Sequence, residues 1–210
     1  MRRLAVGLAA LAATACSPPA PAAVPVQEEP HHRMVSETAF AQVLDIRILG
    51  GDTTLVHVHS RPMAYACISG SALKTQVRGA GWTPAGEPCA VGTGGVTTTY
   101  AARPEAHRVA NVGLDGFRII GVQSLRDPET GDWFDLRTVM LGLAAEDAAH
   151  RHDVPTLVVL AAGAAVNRVV GGRETLLLDP GTWVWIEAGS SHSLINETGP
   201  EARLVEIAVR

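Results

Sequence analysis

Short apolar runs, separated by turn-forming residues, recur along most of the chain. Val, Ile, Leu and Thr predominate within the runs, and the breaks between them are rich in Gly, Pro and Asp. Turn signals such as Gly50-Gly51-Asp52 return at intervals of about ten residues, which is typical of antiparallel sandwiches and barrels. The pattern therefore predicts an all-β protein. The clearest predicted strands are residues 43–48, 53–58, 156–160, 166–170 and 182–186, and the best helical candidate is residues 141–149.

An internal repeat carries six of the eight histidines. A His-x-His…Pro…Gly pattern occurs twice at a constant offset of 93 residues: His57, His59, Pro62 and Gly70, then His150, His152, Pro155 and Gly163. Each copy later contains a His-x-x-x-Asn motif, as His107-x-x-x-Asn111 and His192-x-x-x-Asn196, whose Asn we expect to form a turn. The chain is therefore predicted to contain two copies of one unit, at residues 31–125 and 134–210, joined by a polar linker at 126–133.

Each His-x-His pair has a spacing that suits metal binding on a strand. Successive side chains of a strand alternate between its faces, so His57 and His59 point the same way, as do His150 and His152. A third imidazole, from His107 or His192, completes each set when the barrel brings its strand alongside. Three neutral imidazoles suit Fe(II), Zn, Cu or Ni and leave positions open for water or substrate, so we expect a divalent metal ion in each unit.

These motifs resemble those of the cupin superfamily, small β-barrels marked by G-x5-H-x-H-x3-4-E-x6-G and G-x5-P-x-G-x2-H-x3-N. The first is matched by Gly51-x5-His57-Val-His59-x3-Met63-x6-Gly70. The second is matched by Gly181-x5-Glu187-Ala-Gly189-x2-His192-x3-Asn196. The resemblance covers nearly all of residues 40–210. It implies a bicupin, that is, two tandem small antiparallel jelly-roll barrels in one chain.

The resemblance departs from the family at one ligand. The carboxylate of the family motif is replaced by Met63 in the first unit and by Thr156 in the second. What remains is similar to the three-His cupins, which include thiol, diketone and aromatic-ring dioxygenases that use Fe(II). Losing the carboxylate makes a metal site more positive, which favours an anionic substrate or a metal-bound hydroxide.

Three functions follow as hypotheses. The first is an exported dioxygenase-like metalloenzyme that acts on a small molecule. The second is a non-redox isomerase or lyase that uses Zn or Ni as a Lewis acid. The third is a lipoprotein that binds a small ligand or a metal without catalysis, because the cupin fold hosts enzymes and binding proteins alike.

The first residues predict export. Arg2 and Arg3 precede the apolar run 4–15, which is too short to span a bilayer, and Cys16 follows small residues at a cleavage site. Residues 1–16 resemble a bacterial lipoprotein signal, in which Cys16 is lipidated and becomes the new N-terminus. The alternative is ordinary signal cleavage, which Ala13-Thr14-Ala15 also suits. Residues 17–30 contain five Pro and predict an extended tether. We expect a periplasmic or outer-surface protein that meets the membrane only through this lipid.

The charge balance limits the partners. Lys and Arg together number 17 against 21 Asp and Glu, a net charge of −4, which argues against nucleic acid. The apolar content of 47% is enough for a core. We expect a small-molecule substrate or ligand and a monomer or dimer.

Several other residues have two interpretations. Cys67 and Cys89 form a disulfide or remain two thiols. His31 and His32 are expected to be exposed, with capping of the first site as the alternative. Trp183 and Trp185 share a strand face and are expected in the core or at a barrel mouth.

Two carboxylates lie near the second histidine set in the sequence. Asp153 and Glu187 either orient a histidine or take part in acid–base chemistry, or they lie solvated in loops.

Overall fold

The computed structural model describes residues 22–126 and 132–210. Its secondary structure is almost entirely β, as predicted. The signal peptide, Cys16 and most of the linker lie outside the described residues. Within these residues, neither helix is long and apolar enough to cross a membrane.

The described residues of the first barrel form nine strands. They are β1 (Val24–Pro25), β2 (His32–Glu37), β3 (Ala41–Ile48), β4 (His57–His59), β5 (Met63–Ser69), β6 (Leu73–Val77), β7 (Gly94–Thr97), β8 (Glu105–Asn111) and β9 (Phe117–Ser124). A 3-10 helix (Val26–Glu28) follows β1, and a short helix, α1 (Thr99–Ala102), follows β7. The strands form two sheets, in the orders β1-β4-β8-β6 and β2-β3-β9-β5-β7.

The second barrel contains eight strands. They are β10 (Phe134–Gly142), β11 (Glu146–Arg151), β12 (Thr156–Ala162), β13 (Ala165–Val169), β14 (Glu174–Leu177), β15 (Trp183–Ile186), β16 (Ser191–Ile195) and β17 (Glu201–Val209). Its sheets have the orders β10-β17-β12-β15 and β11-β16-β13-β14. The order β3-β9-β5-β7 of the first barrel is repeated by β10-β17-β12-β15, which confirms the predicted duplication.

The predicted helix at residues 141–149 is wrong. Leu141 and Gly142 end β10, Ala144 has a positive φ of 55° in the following turn, and β11 begins at Glu146. Strand β10 pairs with β17 along its whole length, and this pairing outweighs the local helical preference.

The structure also corrects the tether in its described part. Val24 and Pro25 pair in parallel with β4, Val26 is buried among apolar side chains, and Glu29 is only 1% exposed. The folded part of the first unit therefore begins before residue 31. The proline content of this segment predicts a tether, but an apolar contact and a buried carboxylate hold the segment against the first barrel.

The two barrels share a core. Apolar side chains of β3, β5 and β9 form one buried cluster with those of β12 and β17. Trp183 and Trp185 pack against this cluster, and the ring of Phe40 lies 5.2 Å from that of Trp185. Both tryptophans therefore lie at the core, as expected. Cys67 and Cys89 form a disulfide bond, which settles the alternative that the sequence left open.

Candidate metal centres

The first barrel brings its three predicted histidines together. His57 and His59 lie on β4, and β8 places His107 directly opposite His57 in the antiparallel register. The ring centroids are 4.7 Å apart for His57 and His107, and 5.0 Å apart for His59 and His107. All three side chains are buried.

A fourth imidazole joins this set. His32 is only 4% exposed, and its ring lies 4.3 Å from that of His57. The donor atoms of His32, His57 and His59 lie within 4.8 Å of one another, in a group that does not include those of His107. The expectation that His32 is exposed is wrong, because pairing of β2 with β3 turns this side chain inward. His31, by contrast, stays partly exposed.

Neighbouring oxygens fix which ring nitrogen is free in His57 and in His107. Nδ1 of His57 lies 2.9 Å from the carbonyl oxygen of Leu55, and Nδ1 of His107 lies 2.9 Å from a carboxylate oxygen of Glu105. Because these oxygens only accept hydrogen bonds, Nδ1 carries the proton and Nε2 keeps its lone pair. Nε2 of His57 and Nδ1 of His59 are buried and have no hydrogen-bond partner among the described residues.

Burial keeps these imidazoles neutral. Loss of hydration is the largest cause that lowers the pKa of His57 to about 4 and that of His59 to about 2. It also lowers the pKa of His107, although Glu105 opposes the shift. At neutral pH each ring is therefore uncharged, with one protonated nitrogen and one nitrogen whose lone pair is available to a metal ion.

The second barrel repeats the arrangement. His150 on β11 lies opposite His192 on β16, and their ring centroids are 4.5 Å apart. Nε2 of His152 lies 3.2 Å from Nε2 of His192. Nδ1 of His192 lies 2.7 Å from the side-chain oxygen of Asn167, which directs Nε2 of His192 towards the other two rings.

A glutamate that the sequence analysis did not single out completes this second set. Glu206 on β17 is 1% exposed, and its carboxylate oxygens lie 3.2 Å from Nε2 of His150, 3.6 Å from Nε2 of His152 and 3.5 Å from Nε2 of His192. In the sequence, Glu206 is marked only as the single acidic residue among the apolar residues that follow Arg203. Of the two residues at the motif's carboxylate position, Met63 lines the first cavity and Thr156 is buried on β12.

Arg137 lies against the second set. Its guanidinium donates hydrogen bonds to Glu206 (3.1 Å) and to both carboxylate oxygens of Asp147. Nη1 also lies 3.2 Å from Nε2 of His150. The charge of the buried Glu206 is thereby balanced, and Arg137 competes with a metal ion for the same carboxylate.

Both donor sets fit a divalent metal ion. Ligands that each bind at about 2.0–2.2 Å stand roughly 3.0–3.5 Å from one another, which matches the separations around Glu206. In the first barrel, the buried nitrogens of His57 and His59 that have no described hydrogen-bond partner destabilise the fold unless a ligand such as a metal ion binds them. Nitrogen-rich donors favour Zn, Cu, Ni or Fe, and a carboxylate also admits Mn.

Each donor set borders a cavity, and the two cavities differ. The first measures about 480 Å³, and His32, His59 and His107 line it together with apolar and aromatic side chains such as Tyr100 and Phe117. Its described lining includes two acidic residues and no Lys or Arg. The second measures about 340 Å³, and three arginines line it with His152 and Glu206.

The other predicted residues lie around these centres. The side chains of Asn111 and Asn196 each bond several backbone groups of the adjoining turns, as expected. Asp153 is exposed at the rim of the second cavity, beside Arg151, and Glu187 lies exposed at a different cavity.

Comparison with solved structures supports the fold. No protein-family profile and no curated protein sequence matches the chain. Salicylate 1,2-dioxygenase from Pseudoaminobacter salicylatoxidans superposes with a TM-score of 0.58 at 12% identity, covering 81% of this chain and 69% of the dioxygenase. Oxalate decarboxylase from Bacillus subtilis gives 0.60 at 9% identity, with coverages of 81% and 69%.

A third solved structure carries the family name in its description. A cupin 2 conserved barrel domain protein from Leptotrichia buccalis gives a TM-score of 0.50 at 10% identity, covering 84% of this chain and 87% of that protein. The chain has the cupin fold. At these identities the likeness concerns the fold alone.

Proposed function

We propose that this protein is a metal-dependent enzyme that acts on a small molecule, with a divalent metal ion held in each barrel. The observation that carries this is the convergence of buried imidazoles beside a cavity of about 480 Å³, which His32, His59 and His107 line. A site of this kind combines metal ligands with room for a substrate. In the second barrel His150, His152, His192 and Glu206 would hold the metal.

We favour oxygen-dependent oxidation, and place it in the first barrel. A redox metal there supplies electrons to dioxygen, and His57, His59 and His107 would hold it. Leu55 and Glu105 keep the rings of His57 and His107 oriented through their Nδ1 protons. The apolar part of the wall, which includes Ile119 and Phe117, offers a substrate a contact surface, and Tyr100, stacked on His59 at 4.9 Å, narrows the cavity beside the ligands.

The described lining changes the expected substrate charge. With Glu87 and Glu105 in the wall and no cationic side chain in its described part, the first cavity favours a neutral, largely apolar molecule over an anion. An anion fits the arginine-lined cavity of the second barrel better.

Non-redox chemistry is the second candidate, and Glu206 favours it for the second barrel. A carboxylate in the donor set restores a negative charge, so the site fits Zn or Ni acting as a Lewis acid. Turnover that is unchanged under strict anaerobiosis would select this candidate.

We also propose that the protein is exported and lipid-anchored through Cys16. The sequence of residues 1–16 supports this, and a disulfide suits an oxidising compartment. In cell fractionation, Cys16→Ser should move the protein from the membrane fraction to the soluble fraction. An unchanged distribution would refute the anchor.

Metal analysis tests the proposed enzyme. The wild-type chain should bind two equivalents of Fe(II) or Zn, whereas the His57→Ala/His107→Ala and His150→Ala/His192→Ala variants should each bind one. Oxygen uptake with thiols, diketones and phenols then tests the oxidation. A chain that binds none of Fe(II), Zn, Cu and Ni would overturn the proposal.

A matched pair of variants tests the ligand role of Glu206. Glu206→Gln should weaken metal binding in the second barrel by about 100-fold or more, because it removes a charged oxygen ligand. Glu201→Gln changes a partly exposed residue of the same strand, paired with Arg203, and should leave metal affinity unchanged. Equal affinities of the two variants would remove Glu206 from the site.

A further inference from the structure

Residues 22–32, which we call the strap, cross the first barrel beside its histidines. Val24 lies opposite His57 in the parallel pairing of β1 with β4, and its amide donates a hydrogen bond to the carbonyl oxygen of Val56 (3.0 Å). Val26 is buried in a cluster with Ile46 and Met63. The strap is therefore held by the same strand that carries two of the candidate ligands.

A buried carboxylate at the end of the strap orients His32. Glu29 lies 2.6 Å from Nδ1 of His32 and also accepts hydrogen bonds from His31 and from the amide of Leu55. Burial by itself would raise the pKa of Glu29, but these hydrogen bonds outweigh it and lower the pKa to about 2. Because the carboxylate accepts the Nδ1 proton, His32 keeps its free lone pair on Nε2.

The two barrels differ at the position of the fourth donor. Glu206 occupies the position on β17 that Gly121 occupies on β9, as the pairing of β17 with β12 and of β9 with β5 indicates. The two positions are 85 residues apart, and the two His-x-x-x-Asn motifs are separated by the same 85 residues. A Cβ atom at Gly121 would lie 3.3 Å from the sulfur of Met63 and 3.5 Å from Ile46, so apolar atoms fill the space that Glu206 occupies in the second barrel. Strand β9 therefore supplies no carboxylate to the first centre.

We propose that the strap supplies this missing donor: His32 is a nitrogen ligand of the metal in the first barrel, beside His57 and His59, and Glu29 is its positioning residue. This rests on the proposed metal site of the first barrel. The observation behind it is that the donor atoms of His32, His57 and His59 lie within 4.8 Å of one another. A set of imidazoles without a carboxylate selects Zn, Cu, Ni or Fe over metals that prefer oxygen ligands.

The experiment uses the full chain with the second site removed by His150→Ala/His192→Ala. In this background, Zn(II) affinity is measured by competition with a chromophoric chelator. His32→Ala should weaken binding by at least about 100-fold, and Glu29→Gln, which keeps the size of the side chain, by about 10- to 100-fold. His31→Ala is the matched control, because His31 also contacts Glu29 but lies outside the donor group, and it should change the affinity less than about threefold.

X-ray absorption on the Zn-loaded background protein gives an independent count of ligands. Loss of one imidazole per Zn in the His32→Ala variant supports the proposal. An unchanged imidazole count in this variant, or equal affinities of His32→Ala and His31→Ala, would refute the strap while leaving the metal site intact. A background protein that binds no Zn, Cu or Ni would instead refute the first-barrel metal site itself.

Discussion

At the scale of single residues, the buried carboxylate of Asp45 holds Arg118, which contacts the second barrel. Asp45 on β3 accepts hydrogen bonds from Arg47 and Arg118, and Arg118 also donates one to the carbonyl oxygen of Pro180 in the second barrel (2.7 Å). Burial alone would raise the pKa of Asp45, but the two guanidinium groups outweigh it and lower the pKa below 3.8. The carboxylate therefore stabilises the folded state when it is charged.

This gives a pH-dependent prediction for Asp45→Asn. At pH 7 the substitution should lower the free energy of unfolding by about 1–3 kcal/mol, because it removes a charged acceptor from a buried network. The folded-state pKa is below the unfolded value, so the contribution is present above pH 3.8 and is lost as the pH falls through the folded pKa. Urea unfolding at pH 7 and near pH 3 measures the difference.

An exposed pair provides the control for this prediction. Asp135 and Arg210 contact each other with both side chains about half exposed, and Asp135→Asn should change the unfolding free energy by less than about 1 kcal/mol. If Asp45→Asn cost no more than this control at pH 7, the buried pair would not contribute to stability.

At the scale of elements, a disulfide fixes the wall of the first cavity. Cys67 lies on β5, and Cys89 lies in the long segment between β6 and β7, 22 residues further along the chain. Cys89 also lines the cavity beside His32 and His59. The bond therefore holds a segment with little regular structure of its own against the candidate substrate site.

Removing this bond should destabilise the first barrel. Cys67→Ala/Cys89→Ala opens a loop of 22 residues and should lower the free energy of unfolding by about 3 kcal/mol. Denaturant unfolding with and without reductant measures the effect. Reductant should destabilise the wild-type protein to a similar extent and leave the variant unchanged. A wild-type protein that does not respond to complete reduction would contradict the prediction.

At the scale of the whole molecule, the largest buried cluster belongs to both barrels. Ala64, Ala66 and Val122 of the first barrel pack with Val159 and Ile207 of the second. If one barrel unfolded alone, the apolar sheet face of the other barrel would be exposed to water. The two barrels should therefore unfold together.

Truncation of one shared core residue tests that coupling. Ile207→Ala should lower the free energy of unfolding by about 2–5 kcal/mol and leave a single calorimetric transition. Leu176→Ala, at a residue that is 62% exposed in the second barrel, should change stability by less than about 0.5 kcal/mol. Two resolved transitions in the wild-type protein, with only one displaced by Ile207→Ala, would show that the barrels are independent.

The sequence by itself determined the duplicated β architecture and placed six histidines in two sets. Alternation along a strand makes His57 and His59 neighbours on one face whatever else the chain does, and a constant offset marks the second copy. The tertiary structure decided the rest of each donor set. Glu206 and His32 lie far along the chain from the His-x-His pairs, on strands whose register no local pattern specifies. Only the pairing of β17 with β12 and of β2 with β3 brings these side chains to the centres, and those pairings depend on burial of apolar faces across the whole molecule.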